Sequence, residues 1–584
     1  MKVNDLSILL GGDAGQGIQS TGLGLCQALG KSGLTFFGRQ DYRSQVRGGH
    51  NFYQIRIGEE STLSHREELD LIIALTAETV TRHVDKLRDS GGVLYPRELE
   101  LEKQQIGRRD VAVFDFPLKQ IAREEGGAEV MTNTAAVGAL AGLLGFEIGY
   151  LKETIEENFS SKGEEIVKNN IKVAEAGCRY AEDRRGDFSY SLKPPENPDA
   201  QMVLDGNQAF ALGAIAGGCN FISAYPMTPS TSIFETLIGY SKEFGIVYKQ
   251  TESELAAINM ALGASHVGAR SLVSTSGGGF SLMVEGLGLA GMTETPVVIA
   301  EVQRPGPSTG LPTRTAQGDL SFVTTASQGE FPRLVLTPGT IEEYFHAGAE
   351  AFNLAEKYQT PVIVLADQHL ADSVRPIPPS RINMSEIDID RGKLLSDDQL
   401  DNLEDQYLRH QFCEDGISPR AVPHHPNAIY STTGNEHDQR GKITEDPQIR
   451  SGMVEKRMEK LETARQDLLT PRLSGDEEAE LLLIGWGSTF GALQETVDLL
   501  NENGNQAKLC HLPQTWPFPR EEISEEMENA DLSVVVEGNH NGQLNQLISQ
   551  ETGYQPQAEV LKYDGRPFTP DYIVKELENL EVVS

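Results

Sequence analysis

Cysteine, lysine and long apolar runs are what this sequence has least of. The five cysteines, Cys26, Cys178, Cys219, Cys413 and Cys510, lie far apart in a chain of 584 residues, with no CxxC pair and no iron–sulfur ligand run. Any cluster the chain works with must therefore sit on another subunit, and isolated thiols of this kind are predicted to be small buried side chains. Positive charge is short as well: 50 Lys+Arg face 86 Asp+Glu, a formal charge of −36, and lysine supplies only 20 of the bases. That balance argues against nucleic acid or an anionic membrane as partner and suits a salt-rich cytoplasm. Uncharged stretches are few. Residues 131–146 are too short to span a bilayer, and 206–234 are interrupted by Asn207, Gln208, Asn220, two prolines and several glycines. The opening Met1-Lys2-Val3-Asn4-Asp5-Leu6 meets an acid before any apolar stretch, which predicts no secretory leader and a cytoplasmic protein.

What is present is a globular composition, 39% hydrophobic and 23% charged. At roughly 100–200 residues per domain, the length predicts about three to five domains. The first segment opens with the apolar run Leu6 to Leu10, a glycine turn from Gly11 to Gly17, and a helical stretch from Ile18 to Lys31. Strand-like runs at 71–75 and 111–114 continue an α/β rhythm to about residue 180. Residues 187–200, rich in proline, are predicted to be a linker closing a first domain at 186. A second α/β domain is expected over 201–375, ending in the buried run Pro361 to Leu365. A polar, acidic segment with long loops follows over 376–471, and a smaller parallel-sheet domain over 472–584 opens on Leu481 to Ser488.

Several motifs could carry chemistry. Gly12, Gly15 and Gly17, between a strand and a helix, could cradle a phosphate on backbone N–H groups or simply pack the helix on the strand. Arg43, Arg47, Gly48, Gly49 and His50 form a second candidate anion site. In the middle domain, Ser223-Ala224-Tyr225-Pro226-Met227-Thr228-Pro229-Ser230-Thr231 sets hydroxyls around two prolines just past an apolar strand, where α/β sheets bind ligands. Thr251-Glu252-Ser253-Glu254 begins a helix with carboxylates in its first turn, positions that also complement the helix dipole. The stretch 305–315 presents Arg314 in a stiff, hydroxyl-rich loop suited to gripping a carboxylate with two parallel hydrogen bonds. His424-His425, between prolines, read as loop residues rather than metal ligands, and no metal site is predicted in this chain.

Together the three middle-domain motifs resemble the 2-oxoacid:ferredoxin oxidoreductases, thiamine-diphosphate enzymes that form acyl-CoA. The family's Tyr-Pro-Ile-Thr-Pro-Ser pattern is matched at Tyr225 to Ser230, with Met227 for isoleucine. Its acidic helix start is matched at Glu252 to Glu254, and its Gly-Pro-Ser-Thr-Gly-Leu-Pro-Thr loop at Gly306 to Thr313. The resemblance spans nearly the whole chain and implies an α/β fold of three parallel-sheet domains in the order gamma-type module, thiamine-diphosphate pyrimidine-binding module, and transketolase-C-like module, the last carrying Glu537-Gly538-Asn539-His540-Asn541-Gly542-Gln543.

The resemblance implies roles. Family members set a glutamate against N1′ of the thiamine aminopyrimidine, a position that Glu252 or Glu254 could occupy; Glu254, directly before the apolar helical run, is favoured. Thr228 and Arg314 would face the 2-oxoacid carboxylate, Tyr225 and Pro226 would border the thiamine diphosphate, and Gly15 and Gly17 would help cover CoA. No Gly-Asp-Gly followed by a spaced asparagine is present to hold a diphosphate through Mg²⁺. The resemblance therefore implies a beta subunit, in a heterodimer or an α2β2 assembly, that carries the diphosphate, Mg²⁺ and a [4Fe-4S] cluster, with ferredoxin as electron acceptor. Among 2-oxoacids 2-oxoglutarate is expected ahead of pyruvate. A nucleotide-dependent dehydrogenase built on the Gly11–Gly17 turn, with Asp41 at the ribose, and an inactive scaffold subunit are the alternatives from other classes.

Overall fold

The computed structural model describes residues 2–43, 49–58, 62–101 and 103–583, which fall into two compact units. The first comprises Met1–Asp205 with Asp372–Arg381 and Thr569–Ile573. Its sheet contains β1 Leu6–Asp13, β2 Thr35–Asp41, β3 His50–Gly58, β4 Leu69–Ala74, β5 Leu87–Pro96, β6 Ala112–Phe116 and β7 Met202–Asp205, in the order β6-β5-β4-β1-β3-β2, then Val374–Ile377, then β7. The β6 to β1 half is parallel, and every pairing beyond β1 is antiparallel. The sequence pattern foretold the parallel half, because β1 and β4 are continuous apolar runs buried on both faces. The antiparallel half is built from strands whose charged residues, such as Arg39 and Arg56, interrupt that signal.

Behind this sheet the helix Thr132–Leu144 packs backbone to backbone on the helix Glu164–Glu182. A Cβ on Gly138 would strike the Ala174 carbonyl, and one on Gly142 the Cys178 carbonyl, so only glycine permits this approach. The stretch read as a linker is partly core: Phe188, Tyr190 and Leu192 are buried, and Tyr190–Ser191 pairs parallel with Lys2–Val3. Met202–Asp205 and Val374–Ile377, which bracket residues 206–371 in sequence, pair antiparallel in the first unit's sheet, whereas the composition shift alone set that edge at 200 and the next at 375.

The second unit comprises Gly206–Ala371, Ile382–Phe568 and Val574–Ser584. Its central sheet holds six parallel strands, β8 Phe221–Ala224, β9 Val247–Gln250, β10 Ser271–Thr275, β11 Val297–Gln303, β12 Leu334–Leu336 and β13 Pro361–Asp367, in the order β9-β8-β10-β11-β13-β12. A second sheet contains β14 Arg472–Gly475, β15 Leu481–Trp486, β16 Ala507–Leu512, β18 Leu532–Glu537 and β19 Ala558–Leu561, in the order β14-β16-β15-β18-β19. It is parallel except at β14. Between β16 and β18, the short β17 Gln514–Trp516 pairs antiparallel with β12, so the C-terminal module hydrogen-bonds into the central sheet.

The acidic stretch before the C-terminal module carries only short helical turns, such as Asp397–Asp401, up to the helix Pro447–Ala464, which starts where Asp446 accepts from Gln448 N and Ile449 N and proline occupies the first turn. Buried ion pairs pin this stretch. Glu294, 1% exposed at the side chain, receives Lys456 Nζ at 2.7 Å, Lys460 Nζ at 2.5 Å and His410 Nδ1 at 3.1 Å. Glu356 receives Arg270 Nη1 at 2.9 Å and Arg391 Nε at 2.6 Å, together with Arg420. His424 and His425 are each paired with an aspartate, Asp397 and Asp401.

Candidate functional site

In the central sheet β9, β8, β10 and β11 are neighbours running the same way, so their carboxyl ends stand side by side. Three of those ends carry residues singled out in the middle of the sequence: Glu252 and Glu254 follow β9, Tyr225 to Ser230 follow β8, and the 305–315 stretch with Arg314 follows β11, while Ser276 to Gly279 follow β10. This is the edge where open parallel sheets bind ligands.

Glu254 is the first residue of the helix Glu254–His266, whose N-cap Ser253 accepts from Ala256 N at 3.3 Å. The residue is 3% exposed, and its Oε1 is buried with no hydrogen-bond partner. Glu252, two positions earlier, is exposed to solvent. The choice between the two acids, open in the sequence, becomes a difference in environment. A buried carboxylate oxygen without a donor is costly unless a ligand supplies one. Gly279 leans on the same carboxyl: a Cβ there would lie 2.7 Å from Glu254 Oε1 and closer still to Thr275 Oγ1. Gly279→Ala should therefore displace Glu254, lowering turnover at least tenfold while the thermal unfolding midpoint moves little; unchanged turnover would detach Glu254 from the chemistry.

The Tyr225–Ser230 loop exposes Tyr225 and Pro226, half-buries Thr228, and closes on itself through Ser230 Oγ donating to Met227 O at 2.8 Å. Two side chains that the sequence reading missed hold it. Arg304 Nη1 donates to Thr228 O at 2.6 Å, and Asn207 Nδ2 donates to Pro229 O at 2.9 Å. Neither stood in a motif; each became visible only when distant turns met. Arg314 is half-buried, with Nη1 donating to its neighbour's Thr313 O at 2.9 Å and its stem lying over Gly565. Downstream, Thr315 Oγ1 donates to Asp367 Oδ1 at 3.1 Å.

Gln317 then joins the two modules of this unit: its backbone N–H and side-chain oxygen bond Gly538 at 2.8 Å each, and its Nε2 reaches Trp486 O at 2.7 Å. Glu537, buried at the end of β18, accepts from Leu544 N and Asn545 N and thereby fixes the Gly538–Gln543 turn against Gln317. The C-terminal motif thus has a task, positioning the segment that follows Arg314.

In the first unit Gly17, at φ 72°, turns the chain into the helix Ile18–Lys31. Gly15 and Gly17 line a cavity of about 650 Å³ together with Ser20, Asn133, Asn158 and Lys162. Of the second anion motif, Arg47 and Gly48 lie outside the described residues. His50 is buried with Nε2 2.9 Å from His83 Nε2, and burial pulls both imidazoles down, His83 to about 3. Among the described residues, no three His, Cys, Asp or Glu side chains are arranged to hold a metal ion.

Three family models match in order along the chain. Pyruvate ferredoxin/flavodoxin oxidoreductase covers residues 7–180, pyruvate flavodoxin/ferredoxin oxidoreductase, thiamine diphosphate-binding, covers 212–456, and pyruvate:ferredoxin oxidoreductase core domain II covers 479–573. Fold and site thus define an oxidoreductase chain of the thiamine-diphosphate-binding class. A 2-oxoacid:ferredoxin oxidoreductase subunit alpha from Sulfolobus sp is 35% identical over 98% of this chain and 96% of its own length. The 2-oxoglutarate oxidoreductase subunit KorA of Mycobacterium tuberculosis is 29% identical over 98% and 91%. The structure of 2-oxoglutarate:ferredoxin oxidoreductase from Magnetococcus marinus, with 2-oxoglutarate, coenzyme A and succinyl-CoA bound, superposes at a TM-score of 0.92, covering 99% of each chain at 32% identity. The chain belongs to the alpha subunits of the 2-oxoacid:ferredoxin oxidoreductases. That membership displaces the dehydrogenase reading of the Gly11–Gly17 turn.

Proposed function

We propose that this subunit, joined to a beta subunit, carries out CoA-dependent oxidative decarboxylation of a 2-oxoacid, with 2-oxoglutarate as the favoured substrate. A 2-oxoacid, CoA and two oxidised ferredoxins become acyl-CoA, CO2, a proton and two reduced ferredoxins. The observation that carries this reading is the solitary buried Oε1 of Glu254 at the carboxyl ends of four parallel strands. Thiamine diphosphate, when bound, supplies the carbon nucleophile and the electron sink for decarboxylation. This chain's part is to hold the aminopyrimidine: Glu254 exchanges a proton at N1′, and Tyr225 and Pro226 border the ring. Thr228 and Arg314 orient the 2-oxoacid carboxylate, and Gly15 and Gly17 cover part of CoA.

The diphosphate, Mg²⁺ and the [4Fe-4S] cluster belong to the beta subunit, in a heterodimer or an α2β2 assembly. The enzyme works in the cytoplasm, a reading supported by five unpaired thiols. No helix among the described residues is long and apolar enough to cross a membrane. Preference for 2-oxoglutarate is supported by the similarity to enzymes named for that substrate; pyruvate is the second candidate.

The test is co-purification with the beta subunit followed by anaerobic dye reduction. CoA-dependent reduction with 2-oxoglutarate exceeding that with pyruvate supports the reading, and the reverse order reassigns the acyl group. In the same assay Arg314→Ala should raise KM for the 2-oxoacid by roughly 10- to 100-fold, the loss of a charge-assisted contact of about 1.5–3 kcal/mol, with thiamine diphosphate content unchanged. A lowered cofactor content with unaltered KM would move Arg314 out of the substrate site.

A further inference from the structure

Glu301 has no place in the roles assigned above, yet it is among the most deeply buried acids of the chain. It lies on β11, with Thr275 of β10 and Leu365 of β13 opposite it in register. The residue is 0% exposed, and no N–H or O–H donor reaches either of its carboxyl oxygens. What stands beside it is a second carboxyl, that of Asp319, held near the same strand end and acting on it electrostatically. Asp319 arrives from the segment that Gln317 ties down, its backbone N–H donating to Gln303 Oε1 at 3.0 Å, while Gln303 Nε2 donates to Ala366 O at 3.1 Å. Two ionised carboxylates side by side repel each other, and a hydrogen bond between them requires a proton.

The pair sits beneath the first turn of the helix Gly277–Thr293, which carries Gly279. The carboxylate oxygen Asp319 Oδ2 fills the space that a Cβ on Gly277 would take, and Ser308 O lies 3.6 Å from the corresponding point on Gly278. On the far end of the same turn, the Cβ position of Gly279 is 2.7 Å from Glu254 Oε1. Three consecutive glycines are thus clasped between the acid pair and Glu254.

We propose that Glu301 and Asp319 share a single proton, and that this acid–carboxylate pair positions the glycine turn against which Glu254 is set. Glu301 is the proton's resident and Asp319 the acceptor. Burial, followed by the charge of Asp319, pushes Glu301 well above the usual carboxyl range, and burial raises Asp319 to about 6. Three charged groups stand on the surrounding elements. Asp367, at the end of β13, is bonded to Thr315 and Leu370 N, Arg304 is bonded to Thr228 O, and Glu254 lies across the turn. The positioning role rests on Glu254 facing the cofactor, whereas the shared proton does not.

Infrared spectroscopy of the assembled enzyme at pH 7 tests the proton, and kinetics test the role. Subtracting the spectrum of E301Q from that of the unaltered enzyme should leave the C=O stretch of one protonated carboxyl. D319N should retain such a band, displaced in frequency, because Glu301 remains buried. Turnover of E301A should fall about tenfold or more, with thiamine diphosphate content and KM for CoA unchanged, and E301Q, which keeps both the size and a donor toward Asp319, should recover most of that loss. A flat difference spectrum overturns the shared proton whatever Glu254 does. A clear band with E301A turning over normally overturns the positioning role alone, and if Glu254→Gln is also fully active the assignment of Glu254 fails instead.

Discussion

Glu254→Gln should lower turnover of the assembled enzyme by a factor of about 10² to 10⁴, the range that a positioned proton-transfer group contributes. Glutamine keeps the volume of this buried position and offers N1′ an amide in place of an ionisable oxygen, so assembly with the beta subunit should survive. Glu252→Gln, at a residue exposed to solvent, should stay within twofold of the unaltered enzyme. Measuring both variants in the same dye-reduction assay, with bound thiamine diphosphate quantified, checks the assignment. Equal and severe losses from the two would mean that the helix start as a whole matters, and a normal rate for Glu254→Gln would end its role as the proton-exchanging group.

The largest effect on stability should come from Glu294→Ala. Glu294 stands at the end of the helix Gly277–Thr293, and its carboxylate is met by Lys456, Lys460 and His410, all of them buried. Removing the one acid leaves two buried ammonium groups without a counter-charge, and breaking a buried pair in this way costs about 3–5 kcal/mol. Thermal or denaturant unfolding should show the loss, and Arg409, which donates to Glu294 O, would keep its backbone contact and spare nothing of the ion cluster. The flanking lysines and the His410 hydrogen bond outweigh burial and hold Glu294 well below the usual carboxylate range. A carboxyl depressed in the folded state contributes stability that is present above its unfolded pKa and is lost as pH falls through the folded value. The difference between the unaltered chain and Glu294→Ala should accordingly narrow on the acid side; a constant difference down to strongly acidic pH would show that the cluster holds by packing alone.

Local pattern made a large part of this molecule legible. Continuous apolar runs announced β1, β4, β13 and β15, because strands buried on both faces carry no polar alternation to confuse them. The Tyr225–Ser230, Glu252–Glu254 and Gly306–Thr313 motifs were visible as stiff or charged turns past such strands, and those turns do stand together at one sheet edge. Less legible were strands that contribute little apolar run of their own. Met202–Asp205 and Val374–Ile377 are short and half-buried, and they find each other across roughly 170 residues, so no local signal separates them from linker. The acidic stretch before the C-terminal module looked like solvated loop because its bases and acids are mixed through the sequence. In the fold Lys456, Lys460 and Arg420 are drawn out of that mixture and buried against Glu294 and Glu356.

By itself, then, the sequence determined the alternation of strand and helix, the family, and the short list of residues able to do chemistry. All of these depend on residue type and on spacing within a single turn or strand. Tertiary structure decided which acid of that list is buried with a lone oxygen, that Arg304 and Asn207 hold the Thr228 loop, that Gln317 locks onto Gly538, and that Glu301 meets Asp319. The physical reason is that burial and partnership are properties of groups far apart in sequence. A carboxylate's neighbours, and with them its proton, are set only when the strand ends that carry them are brought side by side.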